Sequence, residues 1–194
     1  MGHKITTQGG AQRRQALIDV AFRHIAEGGF EGLRIREVAA EVGVNPATLH
    51  YYFPTKEALI QGVVEHVIAR LALSLQSLTG SPVEQLRTHL TQLYQQMQDE
   101  PELFVVLTEM SLRAQRSPAI ARFVLQQEQI WHEKLVTMLH DGISEGYWPE
   151  KFVPEDMASV IITLMEGASL GHTAHPQRVA QAVGQLEAWL GIKA

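Results

Sequence analysis

The chain contains no cysteine among its 194 residues, which excludes disulfide bridges and thiolate sites for metals or redox chemistry. It also shows no apolar run of the roughly 18 residues that a membrane-spanning helix needs, and no apolar signal core near its start. No segment alternates apolar and polar residues in the manner of a strand. These absences predict an all-α protein without a membrane segment, located in the cytoplasm.

Charge is unevenly distributed along the sequence. The formal net charge is −5, yet residues 1–60 hold seven lysines and arginines against six acidic residues, whereas the remainder holds nine against fifteen. A nearly neutral first third joined to an acidic body leaves one end able to meet a polyanion such as nucleic acid. Ordinary scatter of surface charge explains the distribution equally well, so charge alone does not decide.

Apolar residues recur at three- and four-residue steps along the chain, which is typical of helices. Prolines stand at the start of most periodic segments, where their missing N–H would lack a partner anyway. Ser81 and Glu84 have the spacing of a capping box at one such start. The sequence therefore predicts about nine helices, spanning 11–28, 35–42, 46–52, 56–79, 82–99, 101–115, 118–145, 154–172 and 176–191.

Two of the short segments have the layout of a helix-turn-helix. Gly43 supplies the sharp turn, and Val44 is the apolar residue that we expect to tuck under both helices. Asn45 is the predicted cap of the second helix, with Pro46 as its first residue. In this arrangement Leu49 and Phe53 face inward.

The second helix then turns an aromatic surface outward. Such a surface suits DNA. Apolar side chains can contact thymine methyls, polar groups can form hydrogen bonds with base edges, and hydroxyls or an imidazole can contact phosphates. The alternative is that some of these side chains are core residues packed against the next long helix. The outward residues are Pro46, Ala47, Thr48, His50, Tyr51 and Tyr52.

The stretch from about Arg13 to Ile60 resembles the DNA-binding half of the TetR family of bacterial transcriptional regulators. The family implies an all-helical fold in which three N-terminal helices bind DNA and the remaining helices bind a ligand and dimerise. We therefore expect a helix-turn-helix domain over residues 1–55 and a ligand-binding and dimerisation domain over residues 56–194. The resemblance is specific because several short motifs occur together at the spacing of the family. These motifs are Gly43-Val44, Thr48-Leu49, Tyr52-Phe53 and Lys56-Glu57-Ala58-Leu59.

The resemblance also implies roles for individual residues. Arg36 matches a position near the start of the second helix that contacts DNA, and Pro46, Ala47, His50 and Tyr51 match positions that face the major groove. Positions that often contact phosphate are matched by Thr48, Tyr52 and Lys56. The sequence departs from the family where Arg34 replaces the usual Thr or Ser cap, and where His50 and Tyr52 transpose the usual Tyr and His.

The body offers two further expectations. Seven side chains are candidates for an apolar effector cavity, although each is equally understandable as core: Phe104, Leu107, Met110, Trp131, Leu135, Met138 and Met165. The segment 157–171 is apolar nearly all round, so one side is expected to pack against a second chain. In the family the last two helices form the dimer interface, for which the candidates here are Ile161, Leu164, Ala168, Val183, Leu186 and Leu190.

Enzymatic alternatives find little support in the residue pattern. Glu166, His172 and His175 are possible metal ligands by type, but their spacing matches no zinc signature, so no metal site or cofactor is predicted. A helical interaction protein without DNA binding is the other alternative. The sequence favours a homodimeric repressor that binds a palindromic double-stranded DNA operator and responds to a small apolar or amphipathic effector.

Overall fold

The computed structural model of the chain describes residues 3–76 and 78–192. Within these ranges the chain forms nine helices and no strand, which confirms the predicted all-α fold class. The helices are α1 (His3–Gly32), α2 (Ile35–Val42), α3 (Pro46–Tyr52), α4 (Lys56–Gln76), α5 (Pro82–Asp99), α6 (Pro101–Ala114), α7 (Pro118–Ser144), α8 (Pro154–Gly171) and α9 (Pro176–Leu190).

Local signals place most of the helix starts where the sequence predicts them. Six helices begin at a proline, because proline fixes φ for the first turn and has no N–H that needs a partner there. The predicted capping box is present at the start of α5. There the Ser81 hydroxyl accepts from the Glu84 N–H at 3.3 Å, and the Glu84 carboxylate accepts from the Ser81 N–H at 2.8 Å.

Helix α1 differs most from its predicted span of 11–28. It begins at His3. The glycine pair Gly28-Gly29 predicts an end at residue 28, but the helix continues past it. Gly29 instead adopts φ 63° and ψ −176°, a left-handed conformation that favours glycine, and it kinks the helix before a last turn to Gly32. We call residues 29–34, which lead from this kink into α2, the corner.

Helices α1, α2 and α3 pack together with the start of α4 to form what we call the head. Its buried residues include Leu17, Val38, Leu49 and Phe53, so the inward placement predicted for Leu49 and Phe53 is confirmed. The head is small, and its short helices rely on this shared core because helices of one or two turns are not stable alone.

Helices α4–α9 form what we call the body. Helix α7 packs against α5, α6 and α8, while α9 packs on α8 and α6 also contacts α1 of the head. Among the described residues one stretch, Lys56–Leu75 of α4, reaches the length and mean hydropathy of a membrane-spanning helix. Gln61, Glu65, His66 and Arg70 interrupt it, so the prediction that no continuous apolar run has this length stands. The apolar residues Leu59, Val63, Val64 and Val67 of this stretch are buried between head and body, which is the ordinary reason for such a composition.

Candidate nucleic-acid interface

The turn between α2 and α3 has the geometry that the sequence predicts. Gly43 ends α2 with φ 73°, a left-handed conformation that few side chains tolerate. Its N–H donates to the Ala40 carbonyl, and the Val44 N–H donates to the Ala39 carbonyl at 2.9 Å. At the start of α3 the Asn45 carbonyl oxygen of the side chain accepts from the Thr48 N–H at 2.7 Å, which confirms the predicted cap.

The start of α2 lacks the side-chain cap that the family usually has. Arg34 occupies the cap position and provides no side-chain hydrogen bond to the first turn. Its guanidinium reaches back and donates to the Glu31 carbonyl at 2.8 Å. Glu37 in the first turn places a negative charge near the unpaired N–H groups, which partly compensates for the missing cap.

The outward face of α3 is exposed as expected. Tyr51 keeps 82% of its surface accessible, the largest exposed fraction among the apolar side chains that are described. Pro46, Ala47 and His50 are also exposed, whereas Thr48 is half-buried because its hydroxyl donates to Asn45 at 3.0 Å. Four of the six predicted outward residues of α3 are thus exposed, and Thr48 and Tyr52 are half-buried.

Tyr52 lies between the outward face and the core. It is half-buried, and its ring meets the Tyr51 ring edge to face with centroids 5.2 Å apart. Its hydroxyl approaches α1, since a β-carbon built on Gly10 would lie 3.6 Å from the Tyr52 oxygen. Tyr52 thus supports Tyr51 from behind while keeping its hydroxyl near the edge of the head.

The imidazole of His50 contacts the backbone just beyond α3. Its Nδ1 lies 3.3 Å from the Pro54 carbonyl oxygen; since a carbonyl only accepts, a hydrogen bond here has Nδ1 as its donor. In the neutral ring this leaves Nε2 as an acceptor on the exposed side. An outward acceptor suits the exocyclic amino groups of adenine or cytosine in the major groove.

Two basic side chains flank the aromatic surface. Arg36 is exposed on the second residue of α2, and Lys56 is half-buried at the first residue of α4, whose Ala58 N–H is capped by the Thr55 hydroxyl at 3.0 Å. Neither forms a salt bridge with another residue in the described ranges. A lysine beside the free N–H groups of a helix start is well placed for a phosphate.

Other charges of the head are used to hold its helices together. Glu41 of α2 pairs with Arg23 at 2.7 Å and with His24 at 2.9 Å, both on α1. The hydrogen bond from His24, followed by the charge of Arg23, lowers the pKa of Glu41 below its usual value. These contacts fix α2 on α1 and leave Arg36 and Lys56 as the basic groups beside α3.

The seven candidates for an effector cavity lie in the body interior. Five are buried, namely Phe104, Met110, Leu135, Met138 and Met165, while Leu107 and Trp131 are half-buried. None of the seven lines either of two open clefts near the α5–α6 connection, of about 300 Å³ and about 190 Å³. The structure therefore gathers these side chains as a packed core, and an effector must part them to enter.

A histidine that the sequence analysis did not single out lies beside this core. His89 of α5 is 1% exposed, and its Nε2 accepts from the Trp131 indole N–H at 2.9 Å. Burial lowers the pKa of His89 to about 4, and the nearby Ser74 carbonyl opposes that shift. The signal was present in the sequence, since His89 lies on the apolar stripe formed by Leu86, Leu90 and Leu93.

The predicted dimer residues need correction. Ile161, Ala168, Val183, Leu186 and Leu190 are all buried within the chain's own core, with at most 6% of their surfaces exposed, and only Leu164 is half-buried. Helix α8 is apolar on both sides, so its sequence gives no sign of which side meets α7 and α9. The apolar stripe that was predicted to contact a second chain is therefore buried within the same chain.

Helices α8 and α9 also carry exposed apolar residues and glycines that lie outside the set of predicted dimer residues. Val160, Leu170 and Trp189 are 44%, 64% and 66% exposed. Gly167 and Gly184 lie inside helices, yet a β-carbon at either position would meet nothing within 4 Å. Glycine inside a helix lowers stability. Since no neighbouring atom in the chain requires glycine at these two positions, its presence there needs another explanation.

The residues considered as metal ligands do not converge. His172 donates from Nδ1 to the Ser169 carbonyl at 2.7 Å within its own helix end. Burial raises the pKa of Glu166, and the Glu128 carboxylate adds to that shift. Among residues 3–76 and 78–192, no group of three or more acidic, histidine or cysteine side chains is arranged to hold a metal ion.

Comparison with known proteins agrees with this geometry along nearly the whole chain. The HTH-type transcriptional regulator BetI of Brucella anthropi is 25% identical over 190 residues, covering 93% of each chain. A TetR transcription regulator from Haloarcula marismortui shares the fold with a TM-score of 0.85 and 22% identity, over 94% of this chain and 98% of that one. A transcriptional regulator from Saccharomonospora viridis, solved in complex with choline, has a TM-score of 0.75 and 19% identity over 93% and 96%.

Family descriptions match both parts of the molecule. The family described as bacterial regulatory proteins, tetR family, matches residues 17–63, which span the helix-turn-helix. The family described as BetI-type transcriptional repressor, C-terminal, matches residues 82–191, more than half of the chain. The chain therefore belongs to the TetR family of transcriptional regulators, with a BetI-type C-terminal domain, and is a DNA-binding transcriptional repressor rather than an enzyme.

Proposed function

We propose that the outward surface of α3, with Arg36 and Lys56 beside it, binds the major groove of an operator. The observation that carries this proposal is Tyr51, an aromatic side chain left 82% exposed on the second helix of a helix-turn-helix. Tyr51 and the Nε2 acceptor of His50 supply base contacts, together with Pro46 and Ala47. Phosphates are bound by Arg36, Thr48, Tyr52 and Lys56.

The chain acts as a homodimer through the outward side of α8 and α9. An isologous contact would cover Val160, Leu170 and Trp189, whose exposure in one chain is otherwise costly. Gly167 on α8 and Gly184 on α9 leave open space that would let a second helix approach closely. Leu164 remains a candidate from the sequence, since it is the half-buried member of the original set.

Dimer symmetry implies a palindromic operator. Two recognition helices that enter successive major grooves require half-sites about 34–36 Å apart. The proposed division of the chain at residues 55 and 56 then separates the part that reads DNA from the part that sets this separation. Such a repressor acts on chromosomal DNA, so we propose a cytoplasmic location.

A small organic effector regulates this binding from the body interior. The proposed lining is the set of seven apolar residues given above, with Trp131 and Leu107 nearest to the surface. Choline is the first probe to try, because a structural neighbour from Saccharomonospora viridis is solved in complex with choline. An aromatic face such as Trp131 attracts a quaternary ammonium, and the neighbouring Glu128 and Glu166 carboxylates would gain from a cation.

Regulation follows from coupling between the two sites. An effector that prefers a dimer with the wrong separation of heads lowers operator affinity by about 1–3 kcal/mol. The coupling is reciprocal, so operator DNA must weaken effector binding by the same factor. Titration calorimetry with choline, in the absence and presence of operator, measures both sides of this relation.

The DNA-binding proposal is tested by selecting duplexes from a random-sequence library. The DNA upstream of the chain's own gene is run beside it in mobility shifts at two salt concentrations. We expect enriched sequences with two-fold symmetry and a specific affinity that falls at the higher salt. Enrichment of no sequence, together with salt-independent or absent shifts, would reject operator binding by this surface.

A further inference from the structure

We propose that Glu109 and Arg113 of α6 are positioning residues, which fix the angle of the head on the body and thereby select the operator spacing. They contact no DNA themselves. They act through the corner, residues 29–34, which leads into α2 of the helix-turn-helix. The inference rests on the proposed dimeric operator binding and adds to it the residues that set its geometry.

Glu109 occupies the space beside the kink of α1. A β-carbon built on Gly29 would lie only 2.9 Å from the Glu109 Oε2 atom. The left-handed φ of 63° at Gly29 would strain any other residue as well. The backbone conformation of the kink therefore requires Gly29, and the Glu109 carboxylate, the end of a flexible side chain on α6, lies against it.

Arg113, one turn further along α6, holds the next two residues of the corner. Its Nη1 donates to the Glu31 Oε1 atom at 2.8 Å, across 82 positions of the sequence. Its guanidinium carbon also lies 5.8 Å from the centroid of the Phe30 ring, which is itself buried at 3% exposure. One side chain thus contacts both a fixed core ring and an exposed carboxylate.

The corner is connected to α2 by short hydrogen bonds. The Arg34 guanidinium donates to the Glu31 carbonyl, and the Arg34 carbonyl accepts from the Val38 N–H at 3.0 Å in the first turn of α2. A displacement at Glu31 is therefore transmitted to the start of α2, next to Arg36.

Two side-chain contacts between α1 and α4 lie further back along α1. Arg14 approaches Glu65 of α4, and the Arg70 guanidinium of α4 lies over the Phe22 ring at 5.4 Å. Phe22 and Gly29 are seven residues apart, which is about 10 Å along a helix. Contacts at one end of α1 locate the head, but a second contact at the other end is required to fix its orientation.

The ion pair is weak in a way that suits this role. The Glu31 side chain is 90% exposed and the Arg113 side chain 37% exposed, and pairs of this kind change an equilibrium by about 1.4- to 5-fold. Loss of the pair should therefore barely change the free energy of unfolding. The same 1.4- to 5-fold change is nevertheless enough to alter the populations of different head orientations.

The test uses the duplex selected with the wild-type chain, together with versions carrying one base pair more or less between the half-sites. We expect Arg113→Gln to reduce the ratio between altered and parent dissociation constants by about two- to fivefold, because other orientations become accessible. Arg116→Gln is the matched control, since it removes the same charge from the turn that follows α6, and Arg116 forms no salt bridge with a corner residue in the described ranges. The double variant Glu31→Arg with Arg113→Glu should restore part of the spacing preference.

A second readout does not need an operator. The chain has no cysteine, so Ala40→Cys on the exposed side of α2 gives one spin label in each protomer. We expect the distance distribution between labels to broaden with Arg113→Gln and not with Arg116→Gln. Identical distributions, or equal loss of affinity for all spacings in both variants, would overturn the positioning role. Failure to enrich any sequence would instead reject the proposed operator binding. The distance measurement would still test the positioning role of Arg113 in that case.

Discussion

Tyr51 of the head and Trp189 of the body are the two most exposed large aromatic side chains among the described residues, and they stand on very different helices. Tyr51 is 82% exposed on α3, and Trp189 is 66% exposed on α9. The other outward residues of α3 are polar or small, with Arg36 and Lys56 beside them, whereas the exposed large side chains of α8 and α9 include Val160 and Leu170. A surface of the first kind suits a charged and hydrated polymer, and a surface of the second kind suits another copy of the chain.

The helices of the head and helix α8 of the body also differ in how readily the sequence shows which side faces outward. Helices α2 and α3 have a narrow apolar stripe, formed by residues such as Val38, Leu49 and Phe53. Everything off that stripe must face out. Helix α8 has apolar residues on all sides, so its inward side follows from what α7 and α9 present to it.

The largest effect is expected from a charge on the inward side of α8. Ile161 has no exposed surface, so Ile161→Asp buries an unpaired carboxylate, which costs several kcal/mol. We expect an insoluble or unfolded chain, with the loss of the helical circular dichroism signal at ordinary temperature. A folded monomer in that experiment would mean that Ile161 faces a partner after all.

Gly167→Leu is the counterpart on the outward side of the same helix. Space around Gly167 is open, and replacing a helical glycine stabilises a helix by about 0.5–1 kcal/mol. We therefore expect a protomer that is at least as stable as wild type but that sediments as a monomer. An unchanged dimer would place the interface elsewhere.

A buried imidazole in the body predicts an acid-sensitive stability. His89 has a pKa of about 4 in the folded chain against about 6.5 when unfolded, so the unfolded state binds the extra proton first. Stability is complete above pH 6.5 and falls by at most about 1.4 kcal/mol per pH unit below it, or roughly 3 kcal/mol by pH 4. Denaturant titrations should show this slope in wild type.

The matched variant for this prediction is His89→Leu. It keeps an apolar side chain in the core and removes the titrating group, so the slope should flatten between pH 6.5 and 5. Part of the slope should remain, because burial also lowers the pKa of His66, between α1 and α4. Equal slopes in the two proteins would mean that His89 is already solvated or protonated in the folded state.

The smallest effect is expected at Lys56, on the edge of the head surface. A lost phosphate contact weakens binding to all sequences and reduces the salt slope by about one unit. Lys56→Gln should therefore flatten the plot of log affinity against log salt equally for selected and random duplexes. Lys151→Gln in the body is the control for charge loss, and loss of discrimination at one base position would instead assign Lys56 to base reading.

Features set by neighbouring residues could be predicted from the sequence. The starts of α3, α5 and α9 follow from Pro46, Pro82 and Pro176, and the cap of α3 follows from Asn45. The left-handed turn of α2 follows from Gly43 in the same way. These signals act over a few bonds and do not depend on the rest of the fold.

Features set by distant residues could not be predicted. The first turns of α1 contain Thr, Gln and Gly without an apolar stripe, so nothing local marks His3 as a helix start. The contact between Arg113 and Glu31 joins positions 82 residues apart. The buried side of α8 likewise depends on its packing against α7 and α9.

The central claim is that the head surface reads DNA while the outward body surface joins two chains. Tyr51→Ala and Trp189→Ala, measured side by side for operator affinity and for dimer dissociation, test it most directly. We expect Tyr51→Ala to lose specific binding at an unchanged dimer dissociation constant and melting temperature. Trp189→Ala should weaken the dimer and recover operator binding at high protein concentration. If Tyr51→Ala binds the selected operator as tightly as wild type does, the account of this surface is wrong.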